Sequence, residues 1–598
     1  MKTDEKLSRL RAEMKKRNID AYVIPTDDFH GSEYVGDYFK CREYISGFTG
    51  SAGTLVVTGD SAALWTDGRY FLQAADQLSG STIELMKMGE KDVPEIPEYI
   101  AERLPARAKV GFDGRTVMEG FAEKLITAAD GKSVRLCGDE DLAGLIWEDR
   151  PELSKKPVWE VPLEISGMSR AEKLSLVREK MKESKAGLLV ISALEEIAWL
   201  LNLRGGDVQS TPVFLSYMII EEKEARLFAA KEIFSAKIRK ALADDGIKIM
   251  AYTGVERYLK SSSEGKTIWA DAGSVNWRLM NCMKKAGRVI KKADPVKQMK
   301  AVKNDAERKG MADAHVKDGV AVTRFLYWLK KNVGRIRMTE LSAAEKLHGF
   351  RAEQDGFLED SFTTIMGYGP HGAIVHYSAT EESDAEIYAK GLLLIDSGGH
   401  YVNGTTDITR TVVCGDLTAE EKRGFTLVLK GHLNLQSAVF RYGCGGEALD
   451  ILARQPLWDE KMDYNHGTGH GVGFILSVHE GPQRIHWNAA LNGKTAIEDG
   501  MVISNEPGLY MEGKFGVRHE NLVLCETAEE NEFGKFMHFK ALTMVPIDKA
   551  GIDMSLMGKT DIERLNAYHK QVWKALSPHL EGDEKEWLKE ATSPLKKR

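Results

Sequence analysis

The sequence lacks the long apolar segments that membrane-spanning and secreted proteins carry. It contains no apolar run long enough to cross a bilayer as a helix. The first twenty residues, MKTDEKLSRLRAEMKKRNID, are polar and helix-patterned, without the apolar core of a signal peptide. We therefore expect a protein with neither a signal peptide nor a membrane partner.

An excess of positive charge and paired cysteines are also missing. The net charge is −7 and the isoelectric point is about 6.2, which excludes the basic footprint of a nucleic-acid-binding protein. The six cysteines are scattered without paired spacing: Cys41, Cys137, Cys282, Cys414, Cys444 and Cys525. They are typical of buried thiols in a reducing compartment, so we expect a cytoplasmic protein.

The length of the chain sets its domain organisation. At 598 residues it is too long for one hydrophobic core, and its 43% hydrophobic and 29% charged residues are ordinary for a globular protein. We predict an α/β protein with three domains, at residues 1–152, 153–292 and 293–598. Helices and strands alternate in the first two, whereas strands and glycine-rich turns dominate the third from residue 357 onward.

The first two domains show a weak internal repeat. LVREKMKESKAGLLVIS (176–192) echoes LRAEMKKRNIDAYVIP (10–25), with a polar helical segment leading into a short buried strand. TLVVT and AALWT are predicted strands separated by a Gly-Asp turn. A long helix is predicted from Asp305 to about Lys331.

Two acidic residues lie on a predicted hairpin in the third domain. The apolar run GLLLID ends at Asp396, HYVNGTT carries an Asn-Gly turn signal, and a second β-rich stretch begins at Asp407. A hairpin would bring the two carboxylates together, where they would repel unless a cation lies between them. Alternatively both are turn or cap residues, a common place for aspartate.

A second pair of acids and a histidine-rich loop follow. In VISNEPGLYMEGKFGVRHENLVLC, one strand ends at Glu506 and the next carries Glu520. Between the two acidic hairpins, HGTGHGVG spans His466 to Gly473, and its glycines allow sharp turns that bring imidazoles close to a centre. A plain glycine loop with exposed histidines is the alternative.

Together the four carboxylates and at least one imidazole predict a centre of two divalent cations. Four negative charges balance two such ions, and oxygen-rich ligation favours Mn²⁺, with Zn²⁺ and Co²⁺ as competitors. The absence of cysteine from the set argues against a structural zinc site. Two ions sharing a hydroxide would hydrolyse a carbonyl or phosphoryl group.

These motifs resemble the pita-bread metallopeptidases, which include aminopeptidase P, prolidase and methionine aminopeptidase. The resemblance is carried by LLLIDSGGHYVNGTTDITRT, HGTGHGVG, VHEGP, SNEPGLY and GVRHEN. Upstream, REYISGFTGSAG, WTDGRYFLQAA, ALEEIAWLLNLRG, AVKNDAE and HYSAT resemble the long, three-domain, cytosolic aminopeptidase P. The resemblance covers nearly the whole chain in order. It implies two creatinase-like N-terminal α/β domains and a C-terminal pita-bread (α+β) catalytic domain with a helical extension.

The resemblance also implies a role for each matching residue. The metal ligands would be Asp396, Asp407, His470, Glu506 and Glu520. Glu506 would also carry the proton from water to the leaving nitrogen. The expected reaction is hydrolysis of the first peptide bond when proline is second, by a hydroxide bridging two metals, in a homodimer.

Further residues would act on the substrate or support the ligands. His376 and His479 match histidines that hold substrate and stabilise the tetrahedral intermediate, and His466 matches one near the proline pocket. Arg69 matches a peptide-binding arginine supplied by the first domain, and Arg518 would support Glu520.

Three other histidines receive no role. His519 stands where the family has an aliphatic residue, and as a strand neighbour of Glu520 it should point the other way. His371 and His400 are expected to be solvent-facing or hydrogen-bonded. The glycine-rich GFTGSAG (47–53) lacks the Gly-Lys-Ser/Thr ending of a phosphate loop and precedes a strand.

Three alternative functions stay open. Prolidase cleaves only dipeptides, and the N-terminal extension with Arg69 favours aminopeptidase P over it. Creatinase-like chemistry uses this fold without metal, and a partner-binding protein with this fold loses the ligands. Five intact ligands argue against both.

Overall fold

The structure is a computed structural model that describes residues 1–489 and 495–596. It divides into two compact units, Met1–Pro162 with Met168–Lys297, and Leu163–Gly167 with Gln298–Arg598. Within the described residues, every helix is too short or too polar to cross a bilayer. The predicted boundary near residue 152 falls inside the first unit and stays a prediction.

The first unit contains two six-stranded sheets with helices around them. Its strands are β1 Ala21–Pro25, β2 Thr54–Thr58, β3 Ala62–Thr66, β4 Glu84–Lys87, β5 Lys109–Phe112, β6 Arg135–Cys137, β7 Trp159–Glu160, β8 Leu188–Ile191, β9 Leu203–Arg204, β10 Ser216–Glu221, β11 Ala225–Ala229, β12 Ile247–Met250, β13 Thr267–Ala270 and β14 Arg288–Lys291. Its helices are Thr3–Arg17, Cys41–Ser46, Phe71–Gln77, Ile96–Arg103, Glu119–Ala128, Leu142–Ile146, Arg170–Glu183, Leu194–Leu201, Ala236–Asp244, Val255–Ser262 and Trp277–Ala286.

The two sheets have the same topology, which confirms the internal repeat. Their strand orders are β4-β3-β2-β1-β5-β6 and β12-β11-β10-β8-β13-β14. β1 and β8 occupy the same position in their sheets. Each pairs antiparallel with one neighbour, β2 or β10, and parallel with the other, β5 or β13. These central strands, AYVIP and LLVI, are almost fully buried, as their uninterrupted apolar sequences predict.

The second unit is built on antiparallel sheets, one of six strands, two of three and one of two, with helices packed on them. Its strands are β15 Phe357–Asp360, β16 Ile365–Tyr368, β17 Leu392–Ser397, β18 Gly399–Tyr401, β19 Gly404–Thr405, β20 Ile408–Val413, β21 Val439–Arg441, β22 Gly469–Gly471, β23 Glu480–Ile485, β24 Val502–Asn505, β25 Gly508–Met511, β26 Phe515–Arg518, β27 Asn521–Asn531 and β28 Gly534–Ala541. Its helices are Leu163–Ser166, Asp305–Asn332, Glu340–Ala352, Ala419–Gln436, Gly446–Trp458, Lys559–Leu576 and Gly582–Ala591, and Pro295–Ala301 contains the division between the units.

The long helix Asp305–Asn332 confirms the prediction for this segment. Asn304 caps its first turn, and Glu307 completes a capping box with the Asn304 backbone. The helix is buried along one side by Phe325, Leu326 and Leu329, which belong to the core beneath β17 and β20. This core holds the strands that carry the acidic residues in place.

Two details differ from the sequence predictions. Cys282, Cys414 and Cys525 are buried, but Cys41, Cys137 and Cys444 are partly exposed, so the expectation of six buried thiols is wrong for three. The turn between β18 and β19 is made by Val402 and Asn403, since Tyr401 pairs with Gly404. The chain therefore turns one residue before the Asn-Gly pair.

A buried arginine ties the helix Lys559–Leu576 to the strands that carry the acidic residues. Arg410 is 2% exposed, and its guanidinium donates to neutral acceptors, which include the Tyr568 hydroxyl at 2.8 Å and the Glu520 backbone oxygen at 2.6 Å. Burial lowers the pKa of Arg410. Each lost acceptor would leave part of a buried charge unpaired.

We therefore expect Tyr568→Phe to lower the free energy of unfolding by roughly 1–3 kcal/mol, because the buried Val545 amide loses the hydroxyl as its acceptor and the Arg410 guanidinium loses one of its acceptors. Denaturant unfolding measures it, with Tyr388→Phe as the matched control, because Tyr388 is 57% exposed. Equal stabilities of the two variants would contradict this role of Tyr568.

Candidate metal centre

Asp396 and Asp407 lie on one face of the β17–β20 pair. Asp396 stands opposite Thr409 in the antiparallel register. Asp407 precedes Thr409 by two positions, so their side chains share a face. Gly398 begins the connection, where a Cβ atom would lie 2.0 Å from the Thr406 carbonyl oxygen. The predicted approach of these two acids is confirmed.

Glu506 and Glu520 face each other at the ends of β24 and β27. Asn505 pairs with Asn521, which places the next residue outward on each side, Glu506 and Glu520, opposite one another. Thr409 joins this pair to the first, because its hydroxyl donates to Glu520 Oε2 at 2.8 Å and its carbonyl accepts from the Glu520 amide. All four acids therefore converge on one place.

His470 completes the cluster from β22. Its Nδ1 lies 3.0 Å from the Gly471 carbonyl oxygen, which holds one proton on Nδ1, so that Nε2 faces the acids with a second proton in the metal-stripped protein and with its lone pair once that proton is lost. Nε2 lies 3.2 Å from Glu506 Oε1 and 3.5 Å from Asp407 Oδ2. The ring is thus oriented with its ligand atom toward the acids.

Glycines flank His470 because neighbouring strands approach closely. A Cβ atom on Gly469 would lie 2.0 Å from the Ser504 carbonyl oxygen, and one on Gly471 would lie 2.3 Å from that of Glu480. The Gly-His-Gly sequence is therefore required by the packing of β24 and β23 against β22.

The carboxylates repel one another strongly. Burial, followed by the charges of Glu520 and Asp396, raises the pKa of Asp407 well above its usual range. Burial and the charges of Glu506 and Asp396 do the same to the pKa of Glu520. For Asp396, burial raises the pKa although the Arg518 guanidinium, 2.5 Å away, opposes it.

The donor set fits bound divalent cations. Ligand atoms of Asp407, His470 and Glu520 lie within 4.8 Å of one another. Asp396 Oδ1 and Glu520 Oε1 are buried without a hydrogen-bond partner among the described residues. A buried carboxylate oxygen left unpaired is costly, and four carboxylates with one imidazole are the ligands of a hard or borderline divalent ion.

A hydrogen-bonded chain supports the acids from one side. Arg518 donates to Asp396 Oδ2 at 2.5 Å, to Thr409 Oγ1 at 3.1 Å and to the Tyr510 hydroxyl at 2.7 Å. The Tyr510 hydroxyl lies 2.8 Å from His466 Nε2. Since Arg518 has only donors, the Tyr510 proton goes to His466. Arg518 thus supports Asp396 directly, and it reaches Glu520 through Thr409.

His466 is a neutral member of this chain. Burial lowers its pKa to about 4, although the Glu506 charge opposes the shift. Its Nδ1 lies 2.8 Å from the Gly467 carbonyl oxygen, so Nδ1 carries the proton and Nε2 accepts from Tyr510. The ring orients the tyrosine hydroxyl.

Two of the predicted substrate-binding histidines lie next to this cluster. The ring of His479 stands edge-on to that of His470, with centroids 4.4 Å apart. His376 follows Val375, whose carbonyl oxygen accepts from Arg518 at 3.4 Å. Glu340 holds the far side of the His376 segment through hydrogen bonds from the Tyr377 hydroxyl and the His371 ring.

Arg69, His519 and His400 make their contacts with residues outside the acidic cluster. Arg69 belongs to the first unit, where it binds the Asp67 carboxylate at 2.9 Å and Glu33 at 3.3 Å. His519 is fully buried and packs edge-on against Phe425, at 4.4 Å between centroids. His400 is buried and lies 3.0 Å from the Thr405 hydroxyl.

Sequence reasoning did not identify Tyr510, Thr409 or Glu340. Thr409 could have been found from strand alternation, since it follows Asp407 by two positions. Tyr510 lies in SNEPGLY, but its hydroxyl reaches His466 across 44 residues. The Glu340 carboxylate accepts hydrogen bonds from four donors outside its own helix, and nothing in the sequence of that helix indicates them.

The stability of the metal-stripped protein should depend on pH. Burial lowers the pKa of His470, but the bond and charge of Glu506 outweigh it and raise the pKa to about 9. A raised pKa stabilises the fold fully below the unfolded value of 6.5, and the stabilisation is lost as pH rises through about 9. The raised pKa values of Asp407 and Glu520 act in the same direction.

We therefore expect the free energy of unfolding of the metal-stripped protein to fall between pH 6.5 and 9. Urea unfolding at both values measures it. His470→Gln is the control, because it cannot titrate and should have a shallower slope. A slope unchanged by the substitution would contradict the assignment.

Four stretches of the chain match described protein families. Residues 6–147 and 149–307 each match the creatinase/prolidase N-terminal domain. Residues 309–527 match metallopeptidase family M24, and residues 535–595 match the C-terminal region of that peptidase. The acidic cluster lies within the M24 match.

Full-length relatives share this arrangement. The chain is 40% identical to Aminopeptidase P2 of Arabidopsis thaliana, over 99% of this chain and 89% of the relative, and 39% identical to Xaa-Pro aminopeptidase 1 of Dictyostelium discoideum, over 99% and 96%. The crystal structure of X-prolyl aminopeptidase from Caenorhabditis elegans, described as a cytosolic enzyme with a di-nuclear active site, matches with a TM-score of 0.95 and 34% identity over 100% of both chains.

Proposed function

We propose that this chain, which belongs to metallopeptidase family M24 together with full-length Xaa-Pro aminopeptidases, cleaves the first peptide bond of peptides whose second residue is proline. It is a metal-dependent aminopeptidase by its relatives and by its neighbour with a di-nuclear active site. The observation that carries the proposal is the convergence of four buried carboxylates and one oriented imidazole.

The ligands we propose are Asp396, Asp407, His470, Glu506 and Glu520. Two divalent ions held by them would supply Lewis acidity and a water nucleophile of lowered pKa. Mn²⁺ is our first candidate, with Zn²⁺ and Co²⁺ as competitors, because the set is rich in oxygen and has one nitrogen.

The protein's own side chains would position the substrate and move its protons. Glu506, oriented by the Ser504 hydroxyl at 3.1 Å, takes the proton of the attacking water and passes it to the leaving nitrogen. His479 and His376 donate to the peptide oxygen that gains charge. Asp396, held by Arg518, lies where the substrate's free α-amine would be recognised, which restricts cleavage to the first bond.

A dedicated enzyme for this bond has a chemical reason. A bond to proline is a tertiary amide without an N–H group, and the ring fixes φ. An enzyme that recognises an extended backbone through that N–H would bind such a substrate poorly. The neutral His466 beside Tyr510 offers a flat, uncharged wall for the proline ring.

Three further features belong to the proposal. Arg69 binds the peptide beyond proline, for which its guanidinium is fixed by Asp67. We propose a homodimer, as the resemblance to the family implies. A place in the cytoplasm is supported by the neighbour described as cytosolic and by six cysteines outside any disulfide. The five metal ligands argue against metal-free creatinase chemistry and against a purely partner-binding role.

Steady-state cleavage of three peptides tests the substrate. We expect Arg-Pro-Pro to be cleaved after arginine, with Arg-Ala-Ala and the dipeptide Arg-Pro much poorer substrates. Mass spectrometry of the products identifies the bond. Cleavage of Arg-Pro alone would assign the protein to prolidase chemistry, and equal cleavage of Arg-Ala-Ala would contradict proline specificity.

A further inference from the structure

We propose that Lys300 and Lys303 are positioning residues for His479, acting through the carboxylate of Glu480. The inference rests on the proposed function, because it assigns His479 to substrate. It concerns Lys300, Lys303 and Glu480, which are neither proposed metal ligands nor proposed substrate-binding residues.

The two lysines hold one buried carboxylate from two directions. Lys300 Nζ lies 2.9 Å from Glu480 Oε2, and Lys303 Nζ donates to Glu480 Oε1. The exposed fractions of the three side chains are 4%, 0% and 2%. Each oxygen of the carboxylate therefore has its own ammonium donor in a site closed to water.

Glu480 is the residue that follows His479. It opens β23, whose backbone lies against His470 and Gly471. With the Glu480 side chain fixed, His479 can change its direction only through the few soft torsions next to it. The centroids of the His479 and His470 rings are 4.4 Å apart, so a change in the direction of the His479 side chain would alter its contact with the proposed metal ligand His470.

Lys303 also connects the Glu480 carboxylate to the strand that leads to Glu506. Its amide donates to the Gly500 carbonyl oxygen at 2.9 Å, and the preceding Val302 bridges to Met501. β24 begins one residue later, at Val502. A single residue thus fixes the backbone before Glu506 and the carboxylate after His479.

Stability alone gives no reason for this arrangement. Buried ion pairs can often be replaced by apolar residues of similar volume without loss of stability, since the desolvation of the charges offsets their attraction. An apolar cluster would pack as well, but it would not set the direction of the segment at Glu480. We therefore assign Lys300, Lys303 and Glu480 the role of fixing the direction of the His479 side chain.

The test is a double-mutant cycle with His479. Lys303→Met and Lys300→Met each remove one donor and leave Glu480 paired with the other lysine, so neither leaves an unpaired carboxylate. We expect each to lower kcat/KM for Arg-Pro-Pro by about 10- to 100-fold, the usual effect of a residue that orients a ligand or substrate group. In a His479→Ala background, the same substitutions should cause no further loss.

Lys430→Met is the control, because Lys430 is a lysine of the same unit that pairs with an acid, Asp561, at 3.4 Å, with 27% of its side chain exposed. It should leave kcat/KM unchanged. Bound Mn²⁺ and the thermal midpoint are measured for every variant, and only variants that match the parent in both enter the cycle. If one lysine variant does not fold, the other completes the test.

The outcomes separate the two hypotheses. Losses that vanish in the His479→Ala background support the positioning role. Losses that add to those of His479→Ala, or no loss at all, overturn it while the proposed function stands. A parent protein that does not cleave Arg-Pro-Pro overturns the proposed function and this inference together.

Discussion

Asp407→Asn is expected to abolish peptide hydrolysis and to weaken metal binding. Its carboxylate lies between His470 Nε2, at 3.5 Å, and the Glu520 carboxylate, whose charge adds to burial in raising the Asp407 pKa. The amide keeps the shape of the side chain but removes the charge that balances a cation. We expect kcat/KM to fall by more than the roughly 10²–10³-fold that loss of one oxyanion-stabilising donor costs.

The same substitution should stabilise the metal-stripped protein. Burial and like charges destabilise the ionised Asp407, so a neutral amide relieves the repulsion. The thermal midpoint of the EDTA-treated variant should exceed that of the EDTA-treated parent, whereas with Mn²⁺ present the order reverses. The exposed Asp459 supplies the control, Asp459→Asn. A stripped variant less stable than the stripped parent would contradict the electrostatic account.

Glu506→Gln is expected to lower kcat by about 10²–10⁴-fold, the usual contribution of a general acid–base residue. Although burial opposes it, the hydrogen bond from His470 lowers the pKa of Glu506 to about 2. Glutamine can still reach Ser504 and His470, but it cannot accept a proton. We expect KM for Arg-Pro-Pro to change little by comparison, since the loss falls on the chemical step.

Single-turnover and steady-state kinetics measure this effect, and the bound metal of each variant is determined in parallel. Glu530→Gln, at an exposed position of β27, controls for a glutamate-to-glutamine change outside the site. If the variant retained two bound ions and parental kcat, Glu506 would not be the proton carrier. If it lost both ions, its role would be that of a ligand alone.

The acidic hairpins could be predicted from sequence because their signals are local. An apolar run that ends in an acid, a glycine-rich turn and a second β-rich run specify a hairpin, and the register then brings Asp396 and Asp407 to one face. The long helix from Asp305 is equally local, since its cap and its first-turn acids are adjacent in sequence.

The support around the acids could not be predicted, because it depends on tertiary contacts. Arg518 reaches Asp396 across 122 residues, and Lys300 reaches Glu480 across 180. Nothing near Lys300 in sequence indicates that this lysine is buried, and lysine is usually exposed. The same reason explains Cys41, whose charged neighbours Asp141 and Arg150 come from a distant segment.

The decisive measurement is hydrolysis of Arg-Pro-Pro by the EDTA-stripped protein, with and without added Mn²⁺. We expect no cleavage without metal, release of arginine with Mn²⁺, and no release by Asp407→Asn under the same conditions. Cleavage that persists without metal, or that Asp407→Asn retains in full, would contradict a metal centre built from these five side chains.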